Sequence, residues 1–163
     1  MSIVVGIDIG GSTTKIAAFK GNEMLVPVQI SADNPVASLF GAFGKFLYDN
    51  NLELNDIAQV NLTGVGANEI NQNIYGLPTF KVDEFSANGV GGKYFAEGRE
   101  EFMVVSMGTG TSYVKVSNGV PSHIGGIGIG GGIAHIVHLF ALYNIGLIIM
   151  FKRFVILMIM CKL

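Results

Sequence analysis

The chain has 163 residues, 50% of them hydrophobic, and a formal net charge of −2 at pH 7. That length suits one folded domain, and a mild negative charge without a basic stripe argues against nucleic acid as a partner. The single Cys161 excludes an internal disulfide framework, and His135 with His138 is only a weak metal signal. The amino terminus enters a strand pattern without a basic segment or cleavage site, so we expect no signal peptide and a cytoplasmic location.

The first predicted element is a strand, turn and strand, with strands near residues 3–7 and 14–20. We expect the polar turn to bind a nucleotide phosphate, because glycines let phosphate approach the backbone while hydroxyls and Lys15 supply donors and positive charge. Asp8 lies at the strand end, where its carboxylate would face Mg²⁺ or its water shell. The candidate binding residues are Asp8, Ile9, Gly10, Gly11, Ser12, Thr13, Thr14 and Lys15.

This turn differs from the two common nucleotide loops. It has neither the spaced glycines of a Rossmann turn nor the glycine-lysine end of a P-loop, and a second strand follows it instead of a helix. An ordinary Gly-Gly hairpin with an incidental aspartate is therefore the alternative when this motif is taken alone.

The middle of the chain alternates between predicted strands and helices. Asp33-Asn34-Pro35 is a helix-start signal, and the apolar residues that follow it have helical spacing. The predicted elements are a strand from Met24 to Ile30, a helix to about Tyr48, a strand at 60–64, a short helix from Asn68 to Ile74, a strand from Thr79 to Val82 and a helix from about Ser86 to Ala96.

A second turn rich in glycine and hydroxyl groups follows at residues 106–112, again between two predicted strands. Two such hairpins can hold one polyphosphate from opposite sides. The run at residues 125–132 is mostly glycine, which is unfavourable for a helix or a regular strand and suits backbone that passes close to a ligand. We expect it to form a third wall of the same site.

These motifs, in this order, resemble the type II, eukaryotic-like pantothenate kinases of the actin, hexokinase and heat-shock ATPase superfamily. The resemblance runs from Ser2 to about Gly132, through Asp-Ile-Gly-Gly-Ser-Thr-Thr-Lys, Val-Asp-Glu-Phe, Met-Gly-Thr-Gly-Thr-Ser and the glycine-rich run. It implies an α/β fold: an actin-like ATPase (ribonuclease H-like) lobe with a mixed sheet flanked by helices, followed by an incomplete second lobe. The expected units are residues 1–105, 106–132 and a tail at 133–163.

The resemblance implies transfer of the γ-phosphoryl group of ATP, with Mg²⁺, to the primary hydroxyl of pantothenate at the start of coenzyme A synthesis. Glu84 matches the family's catalytic glutamate by position, and a carboxylate at a strand end beside the cleft could accept the hydroxyl proton. The alternative is a helix-capping acid, a duty that the neighbouring Asp83 fits better. A family-like homodimer is also implied, unless the dimer-forming part is missing.

Further candidates follow from the same motifs. Lys15 matches the phosphate-binding lysine, with a solvated edge-strand lysine as the alternative. Relatives often have an arginine where this chain has His123, which is only partly charged near neutral pH, and a surface turn histidine is the alternative reading. The remaining candidates are Thr109, Gly131 and Gly132 at the nucleotide and Ser112 near the acceptor, although the two hydroxyls could instead satisfy turn backbone.

The tail at 133–163 departs from the family, which would continue into a second lobe. It contains no aspartate or glutamate and is rich in isoleucine, methionine and phenylalanine. One hypothesis is premature truncation after a frame change, since AT-rich codons read out of frame would give this bias. The other is a membrane helix at 133–151 followed by a basic pair, which would anchor the chain.

We expect weak or absent turnover if the second lobe and its adenosine pocket are missing. Two other functions remain open. One is a non-catalytic nucleotide-binding remnant. The other is a different kinase or activator ATPase of the same superfamily, although an acyl-CoA dehydratase activator would normally carry cluster-binding cysteines.

Overall fold

The computed structural model describes residues 2–131 of the chain. At the centre of its first sheet is a hairpin of β1 (Ile3–Ile9) and β2 (Thr13–Lys20), which pair antiparallel. β1 is apolar at most positions because both of its faces are covered by other parts of the protein. The predicted hairpin is therefore confirmed, and its register places Asp8 directly opposite Lys15.

The first sheet extends from this hairpin on both sides. β5 (Ile57–Thr63) and β6 (Thr79–Lys81) follow beside β1 as parallel strands. β3 (Glu23–Met24) and β4 (Val28–Ser31) both pair antiparallel with β2 at different points along it. The order is β3-β2-β1-β5-β6 with β4 also beside β2, which is the mixed sheet that the family resemblance implies.

The prediction of one strand from Met24 to Ile30 is wrong, because the chain forms two short strands in this region. Pro27 lies between them, has no backbone N–H to donate to a neighbouring strand and has a fixed φ. Pairing with β2 resumes only at Val28.

Helix α1 (Pro35–Asp49) packs on the hairpin and on β4. The Asn34 side chain caps its first turn by accepting a hydrogen bond from the Ala37 N–H at 2.9 Å. Phe43 and Phe46 on its apolar face are fully buried against the sheet. The predicted helix and its start signal are confirmed.

The segment between β5 and β6 is more irregular than expected. The prediction of one short helix from Asn68 to Ile74 is wrong, because the chain forms two separate 3₁₀ helices, at Val65–Glu69 and at Ile74–Gly76. Asparagine recurs through residues 68–73, and its short amide side chain competes with the helix backbone for hydrogen bonds.

Helix α2 (Glu84–Phe95) leads from the first sheet to a second, antiparallel sheet. This sheet contains β7 (Glu101–Met107), β8 (Thr111–Ser117) and β9 (Val120–Ile127), in that order. The predicted second hairpin is confirmed by the pairing of β7 with β8. Because β7 pairs with β8 from Glu101 onwards, the unit boundary expected after residue 105 falls inside β7.

The prediction that the glycine-rich run avoids regular strand is wrong for its first part, because β9 continues to Ile127. The strand is irregular there: its pairing with β8 shifts register between Tyr113 and Val114, and Gly125 has a φ of 152°. Gly126 packs so closely on β8 that a Cβ would lie 2.7 Å from the backbone oxygen of Thr111. Glycine thus permits a strand in a place where larger residues would not fit.

Several predictions concern residues outside the described part. They are the role of Gly132, both accounts of the tail at 133–163, the pair His135 and His138, and Cys161. Between residues 2 and 131, no helix combines the length and the apolar character needed to cross a bilayer.

Candidate nucleotide-binding cleft

Both glycine-hydroxyl hairpins open onto one cleft of about 420 Å³. The turn between β1 and β2 lines it, as do the turn between β7 and β8, the end of β9 and the start of α2. The predicted site residues that line the cleft are Asp8, Gly10, Gly11, Ser12, Thr13, Lys15, Glu84, Thr109, Ser112 and His123. The fold therefore brings together motifs that are far apart along the chain.

An ion pair lies at the open end of the first hairpin. Lys15 Nζ donates a hydrogen bond to Asp8 Oδ2 at 2.7 Å. The two residues are cross-strand partners, so their side chains project from the same face of the sheet. Asp8 is buried, and a buried carboxylate requires such a partner. The hairpin thus places a cation and an anion in contact within the cleft.

Two residues of the same motif do not line the cleft. Successive side chains of a strand point to opposite faces, so Ile9 and Thr14 point away from it. Ile9 is fully buried in the core, and the Thr14 hydroxyl hydrogen-bonds with the Ser38 hydroxyl at 2.8 Å. The Thr14 side chain therefore joins the hairpin to α1, and that of Ile9 packs in the core beside Gly66.

Glu84 is the first residue of α2, so the expectation that it lies at the end of a strand is wrong. Burial, the strongest influence, raises the pKa of its carboxyl group above the ordinary value. Repulsion from Asp8 and Asp83 raises this pKa further, while Lys15 acts in the opposite direction. Glu84 is therefore a carboxylate of raised basicity beside the charged pair of the first hairpin.

Asp83 caps α2, as the sequence indicates. Its Oδ2 atom accepts a hydrogen bond from the Ser86 N–H at 2.8 Å. Asp83 is therefore the N-cap of α2, and Glu84 lies inside the helix as its first residue.

The second hairpin approaches the first across the cleft. A Cβ at Gly11 would lie 3.3 Å from Thr109 Oγ1. The glycine-rich run packs beneath the second turn: Gly131 N–H donates to the Gly108 carbonyl at 2.9 Å, and the Thr111 hydroxyl donates to the Ile129 carbonyl at 2.7 Å. Gly131 therefore supports the turn through its backbone and does not itself line the cleft.

Phe85 lines the cleft, although the sequence did not single it out as a site residue. It stacks on the imidazole of His123, with ring centroids 3.8 Å apart and an angle of 13° between the planes. Phe85 belongs to the Val-Asp-Glu-Phe motif, but only the fold brings β9 to the start of α2. The stack fixes the plane of His123 at the edge of the cleft.

Gly64 is a second residue that the sequence did not single out for the site. It follows β5, lines the cleft and has a φ of 86°. A Cβ there would lie 2.5 Å from both Asp8 Oδ1 and the Ile9 carbonyl oxygen. The sequence offered one signal for this role: Gly64 is the last residue of the predicted strand at 60–64, and glycine is often required where two backbone segments approach closely.

Comparison with known proteins finds similarity in sequence and in fold. A type II pantothenate kinase of Bacillus cereus (strain G9842) is 28% identical over 144 residues, which are 81% of this chain and 47% of the relative. No protein-family model matches the chain. The chain thus spans about half the length of the curated relative that it matches.

Solved structures share the fold at low identity. Component A of (R)-2-hydroxyglutaryl-CoA dehydratase from Acidaminococcus fermentans has a TM-score of 0.66 at 18% identity, over 87% of this chain and 54% of its own. The activator of 2-hydroxyisocaproyl-CoA dehydratase from Clostridium difficile, with bound ADPNP, has a TM-score of 0.66 at 17% identity, over 88% of this chain and 53% of its own.

A ROK hexokinase from Thermus thermophilus has a TM-score of 0.51 at 17% identity, over 73% of this chain and 47% of its own. These similarities show the fold alone. The described residues 2–131 therefore have an actin-like ATPase fold, and the sequence of the chain is similar to that of a type II pantothenate kinase.

Proposed function

We propose that the cleft binds ATP with Mg²⁺ and serves transfer of the γ-phosphoryl group to the hydroxyl of pantothenate. The observation that carries this proposal is the position of Glu84, a carboxylate with a raised pKa, in one cleft with both glycine-hydroxyl hairpins. Pantothenate as the acceptor is supported by the similarity to the Bacillus cereus enzyme. Acceptors differ among proteins of one fold, so this part of the proposal depends on sequence and not on architecture.

The hairpin turns supply the groups that a triphosphate needs. Backbone N–H groups and hydroxyls at residues 10–13 would face the phosphates on one side, and Thr109 would face them on the other. Lys15 would exchange its contact with Asp8 for a contact with phosphate. Each of these groups lies at the cleft surface and requires no rearrangement of a strand.

The residues of the cleft also fit Mg²⁺. Among residues 2–131 no group of three or more metal-ligating side chains occurs, and Asp8 is the carboxylate at the phosphate-binding turn. That is sufficient for Mg²⁺, which keeps several water ligands and is usually held by one or two carboxylates together with substrate phosphates. When bound, Mg²⁺ would neutralise negative charge on the phosphates.

Glu84 would act as the general base. Its carboxylate accepts the proton from the pantothenate hydroxyl while the hydroxyl oxygen forms a bond to the γ-phosphorus. The bond from that phosphorus to the bridging oxygen breaks, and ADP leaves with the bond's electron pair. His123, held in plane by Phe85, lies at the same cleft and would offset charge when protonated.

The experiment that tests this function separates binding from transfer. Calorimetry with ADPNP and Mg²⁺ measures nucleotide binding, and mass spectrometry after incubation with ATP and pantothenate measures phosphopantothenate. Binding with product formation supports the proposal. Binding without phosphorylated product indicates a nucleotide-binding remnant, and ATP hydrolysis without an acceptor indicates an activator-type ATPase. Activators of acyl-CoA dehydratases normally carry cluster-binding cysteines, whereas this sequence contains one cysteine, Cys161.

Replacement of Lys15 with methionine is expected to raise the dissociation constant for ADPNP by about 10–100-fold, because a charge-assisted contact to phosphate is lost. Lys20→Met is the matched control: this lysine is exposed at the far end of β2. Because Lys15→Met also leaves the buried Asp8 carboxylate without its partner, denaturant titration of the same variant measures the accompanying loss of stability. Equal affinities for Lys15→Met and Lys20→Met would remove Lys15 from the phosphate site.

The pH dependence of transfer is expected to reflect Glu84. A base must be ionised, so the rate should fall as the pH drops through the raised pKa of this carboxyl group, above the range of an ordinary glutamate.

The free energy of unfolding is expected to depend on pH in the opposite direction. The folded state binds the Glu84 proton more tightly than the unfolded state does. The stabilisation that this proton provides is therefore present at low pH and is lost as the pH rises through the raised pKa of Glu84. Rate profiles and denaturation across the same pH range measure both effects.

A further inference from the structure

Asn88 in the second turn of α2 is fully buried, and neither polar atom of its amide forms a hydrogen bond. A buried amide without partners destabilises a protein relative to an apolar side chain of the same size. Buried polar groups are satisfied in most native structures, so each exception needs a physical explanation. Asn88 is the residue that carries unsatisfied buried polar atoms within the described part of the chain.

The position of Asn88 suggests a partner. It follows Glu84 by four residues, so both side chains lie on the same face of α2. Side chains on a helix lean toward its amino terminus, so the amide of Asn88 extends over the turn that carries Glu84. In this structure no hydrogen bond joins the two side chains.

Bulk solvent does not reach the Asn88 amide, because both of its polar atoms are inaccessible. Glycines on α2 allow the second sheet to approach the helix closely: a Cβ at Gly89 would collide with Pro121, and a Cβ at Gly92 would collide with Val104. The amide is therefore out of reach of bulk solvent, and the carboxylate one helical turn away on the same face is that of Glu84.

We propose that Asn88 is a positioning residue, which donates a hydrogen bond to the Glu84 carboxylate once a nucleotide occupies the cleft. This inference rests on the proposed function. Phosphate charge in the cleft repels the carboxylate toward its own helix turn, where the N–H group of Asn88 is the donor. One carboxylate oxygen is then fixed by Asn88, and the other is free to accept the proton of the acceptor hydroxyl.

The first test observes the amide directly by NMR. The side-chain amide signals of Asn88 are identified by their loss in Asn88→Leu, a change that keeps the branched shape of the side chain and removes both polar atoms. On addition of ADPNP with Mg²⁺, we expect these signals to shift in the wild-type protein and to stay unchanged in Glu84→Ala. Calorimetry on the same samples reports whether the nucleotide binds.

The outcomes separate this inference from the proposed function. Nucleotide binding with unchanged amide signals in the wild-type protein overturns the role of Asn88 and leaves the nucleotide site standing. The absence of binding overturns both. An amide response that requires Glu84, without any phosphorylated product, supports the positioning contact and contradicts the kinase reaction.

The second test is the pH profile of transfer. Loss of a donor to the ionised carboxylate disfavours the charged form, so Asn88→Leu should lower the rate by about tenfold at the acidic end of the profile and less at the alkaline end. Val90→Leu, on the opposite side of the same helix, is expected to keep the wild-type profile. An equal loss at every pH would show a purely structural role and would overturn the proposal.

Discussion

Replacement of Glu84 with glutamine is expected to lower the rate of phosphoryl transfer by about 10²–10⁴-fold, the contribution typical of a positioned general base. Glutamine has nearly the same shape but cannot accept a proton at neutral pH. Nucleotide affinity should change little, since the phosphate-binding groups are on the two hairpins and not on α2. Rate assays and ADPNP calorimetry on the same preparation measure the two effects separately.

The matched control for this variant is Glu97→Gln, which makes the same chemical change at an exposed residue just after α2. It is expected to behave as the wild-type protein. Retention of the full rate in Glu84→Gln would exclude Glu84 as the base. A parallel loss of rate and nucleotide affinity would instead indicate that Glu84 contributes to the shape of the cleft.

The second large effect is expected from Gly64→Ala, which should reduce the free energy of unfolding by about 2–4 kcal/mol. Its φ of 86° is unfavourable for alanine, and the new Cβ would lie 2.5 Å from Asp8 Oδ1 and from the Ile9 carbonyl oxygen. The carboxylate must move to relieve this contact, and its ion pair with Lys15 is disturbed. Nucleotide affinity should therefore fall together with stability, as denaturant titration and calorimetry can show.

Gly76→Ala separates the two causes of that loss. Gly76 has a similar φ of 77°, but a Cβ there meets no atom within 4 Å. We expect a cost of about 1 kcal/mol from the backbone conformation alone, and no change in nucleotide affinity. Equal effects of the two substitutions would mean that Gly64 does not determine the position of Asp8.

Local patterns predicted the elements that local interactions determine. The β1–β2 hairpin follows from apolar runs on either side of adjacent glycines, and α1 follows from the cap at Asn34 and a helical spacing of apolar residues. The second hairpin has the same signature. Each of these elements is stabilised by bonds between residues that are close in sequence, so its pattern is visible without knowledge of the fold.

Contacts between distant segments account for what the sequence did not predict. No local pattern indicates that Phe85 stacks on His123 or that Gly64 contacts the Asp8 carboxylate, because strand order determines both. The strand through Gly125 is similar: a glycine-rich run favours irregular backbone, but pairing with β8 stabilises a strand there. Tertiary pairing overrode intrinsic propensity at this position.

The cross-strand pairing of Asp8 with Lys15 limits how the hairpin can change over evolution. The residues beside Lys15 in β2, Thr14 and Ile16, are fully buried. Insertion or deletion of one residue in β2 would reverse which side chains face the core, placing the lysine in an apolar interior and an apolar residue in the cleft. Side-chain replacements in this hairpin should therefore be tolerated more often than changes in its length.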